Sequence, residues 1–284
     1  MDLLLPPAPL LDGRRFQIAI RRLADSLGHG TDRSIHRGPG LEYEQSRVYQ
    51  PGDPVKAIDW RVTGRTGRVH VKEYEAPRRI PAWMLVDTSA SMTVGSRPTK
   101  YETAVCLAGG LALACLERAS PVGCLGVGGR SLLARASSSR LAVLGWLHRL
   151  RRYRLDEPTA LAASLAAIDP LLGERSLLFV LSDLHESGVG PWLARLAQRH
   201  DVCMLLLRDP VERGLAAGFL RAREAETGRS LTTRGGFAAR LAEERLAALT
   251  PARIDGLVID TDRPYAARLR LLLARRRILD GGRR

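Results

Sequence analysis

Two kinds of apolar pattern run along the chain, and the change between them falls near residue 80. Phe16, Ile20, Leu23 and Leu27 recur at i, i+4, i+7 and i+11, flanked by Arg14, Arg15, Arg21 and Arg22. That spacing predicts a helix over residues 13–27 with one apolar stripe. Residues 34–76 carry a different period. Leu41 and Tyr43 alternate with Glu42 and Glu44, and Val69 and Val71 alternate with Arg68, His70 and Lys72. Turn signals stand between them at Gly38-Pro39-Gly40, Pro51-Gly52-Asp53-Pro54 and Thr66-Gly67. Short, half-buried β-structure is the expectation there. Residues 1–12 are Pro-rich and expected to be irregular, and Pro77-Arg78-Arg79 reads as a boundary.

From Ile80 onward, short apolar runs alternate with helical stripes. Runs at residues 83–86, 122–127, 177–181, 202–207 and 256–259 have strand length. Helices are predicted over 101–118, 141–150, 160–168, 192–199, 237–248 and 265–277, with a hairpin over 219–233 around Thr227-Gly228. Strands that are apolar on both faces, separated by helices, predict an α/β fold with a doubly wound, mostly parallel sheet. The division is then a small N-terminal portion, residues 1–79, holding a helix and a β-rich segment, followed by the α/β domain over 80–284.

Composition narrows the class. The chain has 284 residues, 45% of them hydrophobic and 26% charged, which excludes disorder as its main state. No run of 18 apolar residues exists, and the start lacks the basic and long apolar regions of a secretory signal. The four cysteines, Cys106, Cys115, Cys124 and Cys203, show no C-x-x-C spacing and fall in predicted helix or strand. They read as buried thiols in a reducing compartment. The net charge is +14, and two segments carry nearly all of it: seven arginines without an acid at 130–154, and seven with Asp280 alone at 268–284. Such patches suit nucleic acid, an acidic protein or an anionic membrane face. Only 5% of residues are aromatic, and no known nucleic-acid module is visible, which argues against stacking on bases.

Ligands of open α/β sheets bind where the strands end. The first strand of the α/β domain is followed by Asp87-Thr88-Ser89-Ala90-Ser91, and the strand at 177–181 by Ser182-Asp183. Asp156-Glu157-Pro158-Thr159 precedes the helix at 160. Asp87, Ser89, Ser91, Thr159 and Asp183 offer only oxygen, which suits Mg²⁺, Mn²⁺ or Ca²⁺ rather than zinc. Two carboxylates would balance a divalent charge, and hydroxyl ligands would leave the ion electrophilic toward an outside acid. Capping of the following turn by Asp87 or Ser89 is the plainer alternative. His185 and Glu186 read as solvated loop positions, and the other histidines show no metal spacing.

Asp87-x-Ser89-x-Ser91 with the later Thr159 and Asp183 resembles the metal-ion-dependent adhesion site of von Willebrand factor A domains, over residues 80–277. The resemblance implies that Ser89, Ser91 and Thr159 coordinate directly, while Asp87 and Asp183 hold metal-bound water or shift inward. Pro158 stands where that family has Gly, so Thr159 is the least secure ligand. Upstream, Gly40-Leu41-Glu42-Tyr43-Glu44-x-x-Arg47-x-Tyr49-x-x-Gly52-Asp53-x-x-x-x-Ile58-Asp59-Trp60 resembles the bacterial family known as domain of unknown function 58. Tyr43 replaces a frequent Phe. This resemblance implies a cytoplasmic or membrane-peripheral adaptor or co-chaperone, without catalytic residues, that captures a MoxR-type AAA+ ATPase or a client supplying an acidic side chain. Arg47, Asp53 and Asp59 are expected to form an ion-pair and hydrogen-bond cluster that ties the β-segment to the α/β domain, with Trp60 as an apolar anchor.

Two other readings stay open. One is a scaffold that binds through its basic patches, without metal. The other is a metal-dependent phosphohydrolase, since Asp87 follows the first strand as the nucleophile of haloacid-dehalogenase-like enzymes does. Those enzymes need Asp two positions later, and Ser89 stands there. Neither a G-x-x-x-x-G-K-[ST] loop nor a G-x-S-x-G elbow occurs.

Overall fold

A computed structural model of the chain describes residues 13–28, 42–75, 80–93, 95–128, 131–153, 158–173, 175–214, 219–223, 230–234 and 237–275. The irregular start expected over 1–12, the Gly38-Pro39-Gly40 turn, Leu41, the boundary at 77–79, Asp156, Glu157 and the Thr227-Gly228 turn lie outside those residues. The chain forms two units, Thr31–Arg79 and Met1–Gly30 with Ile80–Arg284. In the larger unit lies helix α1 (Gly13–Gly28), which the sequence reading grouped with the β-rich segment. Its stripe explains the placement. Phe16, Ile20, Leu23 and Leu27 are all buried in the larger unit's core, and each such side chain contributes about 1.5–3 kcal/mol relative to exposure.

In the smaller unit β1 (Glu42–Val48) pairs antiparallel with β2 (His70–Glu75), and both strands fall where the alternation predicts β-structure. Between them stands a helix that the alternation does not show, α2 (Trp60–Thr66). Asp59 caps it by accepting from Arg61 N and Val62 N, and Gly67 ends it at φ +71°. No residue of α2 is buried, so it has no apolar stripe to reveal it. Arg47, Asp53 and Asp59 all make polar contacts, in two pairs. Arg47 makes two bonds of 2.7 Å to Asp53, and Ser46 Oγ donates to Asp59 Oδ2 at 2.7 Å. The Arg47 guanidinium and the Gln50 N–H hold the Asp53 carboxyl down at about 2. Each of these bonds closes within residues 42–75. Trp60 is 69% exposed, so it is not the apolar anchor the sequence suggested.

The larger unit is built on a six-stranded sheet in the order β10 (Asp255–Asp260), β7 (Asp201–Arg208), β6 (Leu177–Ser182), β3 (Ala82–Val86), β4 (Val122–Val127), β5 (Ser131–Ser137). All neighbours are parallel except β4 and β5. The antiparallel edge strand β5 was missed because Arg135 and its serines mask any apolar run. Side chains alternate between two cores. Ala82, Met84 and Val86 meet α1, α3 (Lys100–Glu117), α4 (Arg140–Arg151) and α9 (Ala266–Arg275). Trp83 and Leu85 meet α5 (Leu161–Ile168), α6 (Val189–Ala197) and α8 (Phe237–Ala247). The short α7 (Pro210–Gly214) follows β7. The expected hairpin is β8 (Phe219–Arg223) paired antiparallel with β9 (Ser230–Arg234).

Helix α3 is apolar around its circumference and almost entirely buried. A reciprocal cap starts it, with Glu102 N donating to Thr99 Oγ1 and Thr99 N to Glu102 Oε2. Gly109 and Gly110 let α1 approach closely, for a Cβ on either would sit 2.7 Å from Ile20 or 2.5 Å from Leu23. The four cysteines are free and buried. Burial pushes the Cys106 and Cys115 thiols up to about 12.

Candidate functional site

The chain leaves β3 toward β4 on one side and reaches β6 and β7 on the other. The sheet therefore has its topological switch point between β3 and β6, where open α/β sheets bind ligands. Asp87 follows β3 there, and Ser182 and Asp183 close β6. The Asp87 N–H donates to Leu181 O at 2.9 Å, which fixes the two strand exits side by side.

Asp87 is fully buried. Its Oδ2 accepts from Ser182 Oγ at 2.5 Å and its Oδ1 from Ser89 N at 3.0 Å. Burial and the neighbouring Asp183 charge push its carboxyl up to about 6, against the Ser182 and Ser89 hydrogen bonds. Ser89 Oγ and Ser91 Oγ lie 3.0 Å apart. Asp87, Ser89, Ser91 and Asp183 thus gather at the two adjacent exits. Thr159 sits beyond them, where it bridges Gly128 just past the end of β4. Pro158 is exposed and precedes the bridge without entering α5.

The structure adds groups that the sequence reading passed over. Lys100 is 2% exposed, and its Nζ lies 2.7 Å from Asp183 Oδ2 and 2.8 Å from Glu212 Oε1. Burial disfavours the ammonium, but the Asp183 and Glu212 charges outweigh it and raise the Lys100 pKa. Burial likewise works against the Glu212 charge. Lys100 outweighs it, with His185 Nε2 at 3.9 Å, and the Glu212 carboxyl falls to about 2. His185 Nε2 stands 3.5 Å from Asp183 Oδ2, and its side chain is 46% exposed, so this histidine keeps the expected solvated loop position while reaching the cluster. Glu186, by contrast, is engaged: its Oε2 accepts from Leu161 N at 2.6 Å and caps α5. Leu184 adopts φ +52° and donates its N–H to Ser182 Oγ at 3.0 Å, turning the chain off β6 below Asp183.

A signal for Lys100 and Glu212 existed. Lys100 is the only cation in α3 and stands at the helix start, which returns to the same rim. Glu212 lies four residues past the end of β7. Reading every strand exit and every following helix start would have brought both to the rim. Asp209, at the β7 exit, is used structurally and accepts from Ser96 N and Ser96 Oγ.

The donors fit a hard cation. All are oxygens, and a hydroxyl pair 3.0 Å apart matches the edge of an octahedron with bonds of about 2.1 Å. The same separation serves as a hydrogen bond between the two serines.

The model of a family described as protein of unknown function DUF58 matches residues 45–248. The chain is also 31% identical over 217 residues to uncharacterized proteins of Mycobacterium bovis (Mb1516) and Mycobacterium tuberculosis (Rv1480). That stretch covers 69% of this chain and 64% of each relative.

Proposed function

Given that the chain belongs to the family described as protein of unknown function DUF58, we propose that it is a protein-interaction module of von Willebrand factor A-like organisation. Its rim captures partners through a divalent cation. One observation carries the reading: the β3 and β6 exits bring two buried carboxylates beside a serine hydroxyl pair 3.0 Å apart. Ser89, Ser91 and Asp87 would hold Mg²⁺, or Mn²⁺ or Ca²⁺, with Asp183 completing the donor set; Thr159, at its bridge to Gly128, stands apart from it. When bound, the ion supplies Lewis acidity toward a carboxylate from the partner. Ser182 orients Asp87, and Lys100 and Glu212 fix Asp183. The partner is a MoxR-type AAA+ ATPase, or a client that presents an acidic side chain. Its support is the sequence resemblance of the Gly40–Trp60 signature.

Calorimetric titration of the full chain with Mg²⁺ and Mn²⁺ tests the reading, followed by capture of a purified MoxR-type ATPase with magnesium or with EDTA. The Ser89→Ala/Ser91→Ala double variant should lose metal binding and capture together. These substitutions leave the buried Asp87–Ser182 bond in place, so the fold survives them. Capture that persists in EDTA and in the double variant overturns the proposal.

A second reading rests on Lys100. Its ammonium already neutralises part of the cluster at 2.7 Å from Asp183, so the rim can be a structural ion-pair network that needs no metal. Under that reading no metal heat is seen, and capture follows ionic strength alone.

A further inference from the structure

The excess charge of the chain gathers on one face of the sheet. On that face α4 packs on β4 and β5 and α9 on β10, on the same side as the buried α3, while α1 lies against α3. Close contacts join them. The Arg151 guanidinium of α4 lies 5.0 Å from the Phe16 ring of α1. At the other end of α1, Arg270 of α9 donates to Ser26 O at 3.5 Å. Together α1, α4 and α9 hold ten arginines and one acid, Asp25. The helices of the opposite face, α5, α6 and α8, hold three arginines and two glutamates. The net charges are therefore +9 and +1.

Aliphatic side chains stand exposed among these arginines, one on each helix. Ile18 of α1 is 44% exposed, Leu141 of α4 79% and Leu271 of α9 54%. Each points away from the buried stripe of its own helix, which is Phe16-Ile20-Leu23 in α1, Val143-Trp146-Leu147-Leu150 in α4 and Leu269-Leu273 in α9. Nucleic acid would favour exposed aromatics for stacking, and the aromatics of these helices, Phe16 and Trp146, are buried.

We propose that the α1–α4–α9 face docks on an anionic lipid bilayer. The arginines take the phosphate layer, and Ile18, Leu141 and Leu271 enter the headgroup boundary. Arginine stems lie along apolar surface while their heads stay in the polar layer. Basic residues with exposed aliphatics on one helical surface are the composition of interfacial helices. The inference does not depend on the metal reading, because none of its residues belongs to the rim.

The test is co-sedimentation of the full chain with vesicles of phosphatidylcholine alone or with about one-third phosphatidylglycerol. Binding should require the anionic lipid and fade as salt rises from about 0.1 M to about 1 M. Arg21→Ala/Arg22→Ala should weaken it about 25-fold, near five-fold per charge at the surface. Ile18→Asn/Leu271→Asn should weaken it while leaving the salt slope unchanged. All four positions are exposed, so an unchanged unfolding midpoint certifies the fold. The proposal is overturned by binding that ignores lipid charge, by its absence, or by indifference to the aliphatic variant. It also falls if the arginine pair governs binding to a duplex oligonucleotide and not to vesicles.

Discussion

Replacing Lys100 with methionine isolates the interaction that most distinguishes this rim. Methionine keeps the length and apolar stem of lysine and removes only the charge. The Asp183 side chain is 1% exposed and would then face Glu212 without its cation. Breaking a buried pair from one side costs about 3–5 kcal/mol, because the remaining charge stays desolvated. For a unit of this size that corresponds to a fall of roughly 6–20 °C in the unfolding midpoint. Urea unfolding followed by circular dichroism measures the loss. The double variant Lys100→Met/Asp183→Asn supplies the control. With the charge gone from both sides, most of the penalty should return, and the coupling between the two sites should be at least about 2 kcal/mol. Glu212 is less buried than Asp183 and recovers water in either variant. A single-variant loss under about 1 kcal/mol, or additive losses in the double variant, would refute the buried ion pair as the element that fixes Asp183. Magnesium adds a second dimension. If a divalent ion binds beside Asp183, Lys100→Met should gain more stability from it than the parent chain, up to about 2.7 kcal/mol at a hundred-fold excess over the dissociation constant.

The Asp87 carboxyl is held near 6 in the fold against 3.8 as its ordinary value, so the folded state binds its proton more tightly than the unfolded chain. Its contribution is present below about pH 4 and is lost as pH rises through about 6, for a total of about 3 kcal/mol. Asp87→Asn should flatten that segment of the stability profile measured by urea unfolding, and parallel profiles would contradict the assignment. Gly109→Ala should destabilise by about 1–3 kcal/mol despite the better helix propensity of alanine, because its methyl group meets Ile20 at 2.7 Å. The variant Gly109→Ala/Ile20→Val should recover part of that loss.

The larger unit was legible because its strands are apolar on both faces, so 122–127 and 177–181 could be nothing but buried strands. Stripe and alternation also placed α1 and the β1–β2 pair. Three elements were not legible, because none shows a clean apolar period. Helix α2 buries nothing and is defined by the Asp59 cap and Gly67; α7 is five residues long; β5 is an edge strand whose serines and Arg135 hide the period. At the rim, spacing found Asp87, Ser89, Ser91 and Asp183 because they follow strand ends directly. Lys100 escaped because a lysine in the first turn of a helix looks solvated unless the depth of that helix is known. Only the burial of α3 on the sheet turns its first residue inward.

That depth also separates the two surfaces of the larger unit. The rim lies at the carboxyl ends of β3 and β6, along one edge of the sheet. The basic surface lies on a flank, where α1 packs on α3 and α4 and α9 pack on the same side of the sheet. A planar partner laid against the flank meets helix sides and leaves the strand ends open, so one copy can engage both partners at once. The residues divide cleanly as well. Arg21, Arg22 and Leu271 touch nothing at the rim, while Ser89 and Ser91 are far in sequence and element from the outer helices. Loss of vesicle binding with retained protein capture, and the reverse, are therefore separable defects. A direct path between them is α3, which carries Lys100 to the rim at its first residue and Gly109-Gly110 to α1 at its middle. Its rigid, buried path makes α3 the place where an effect of one surface on the other would be measured.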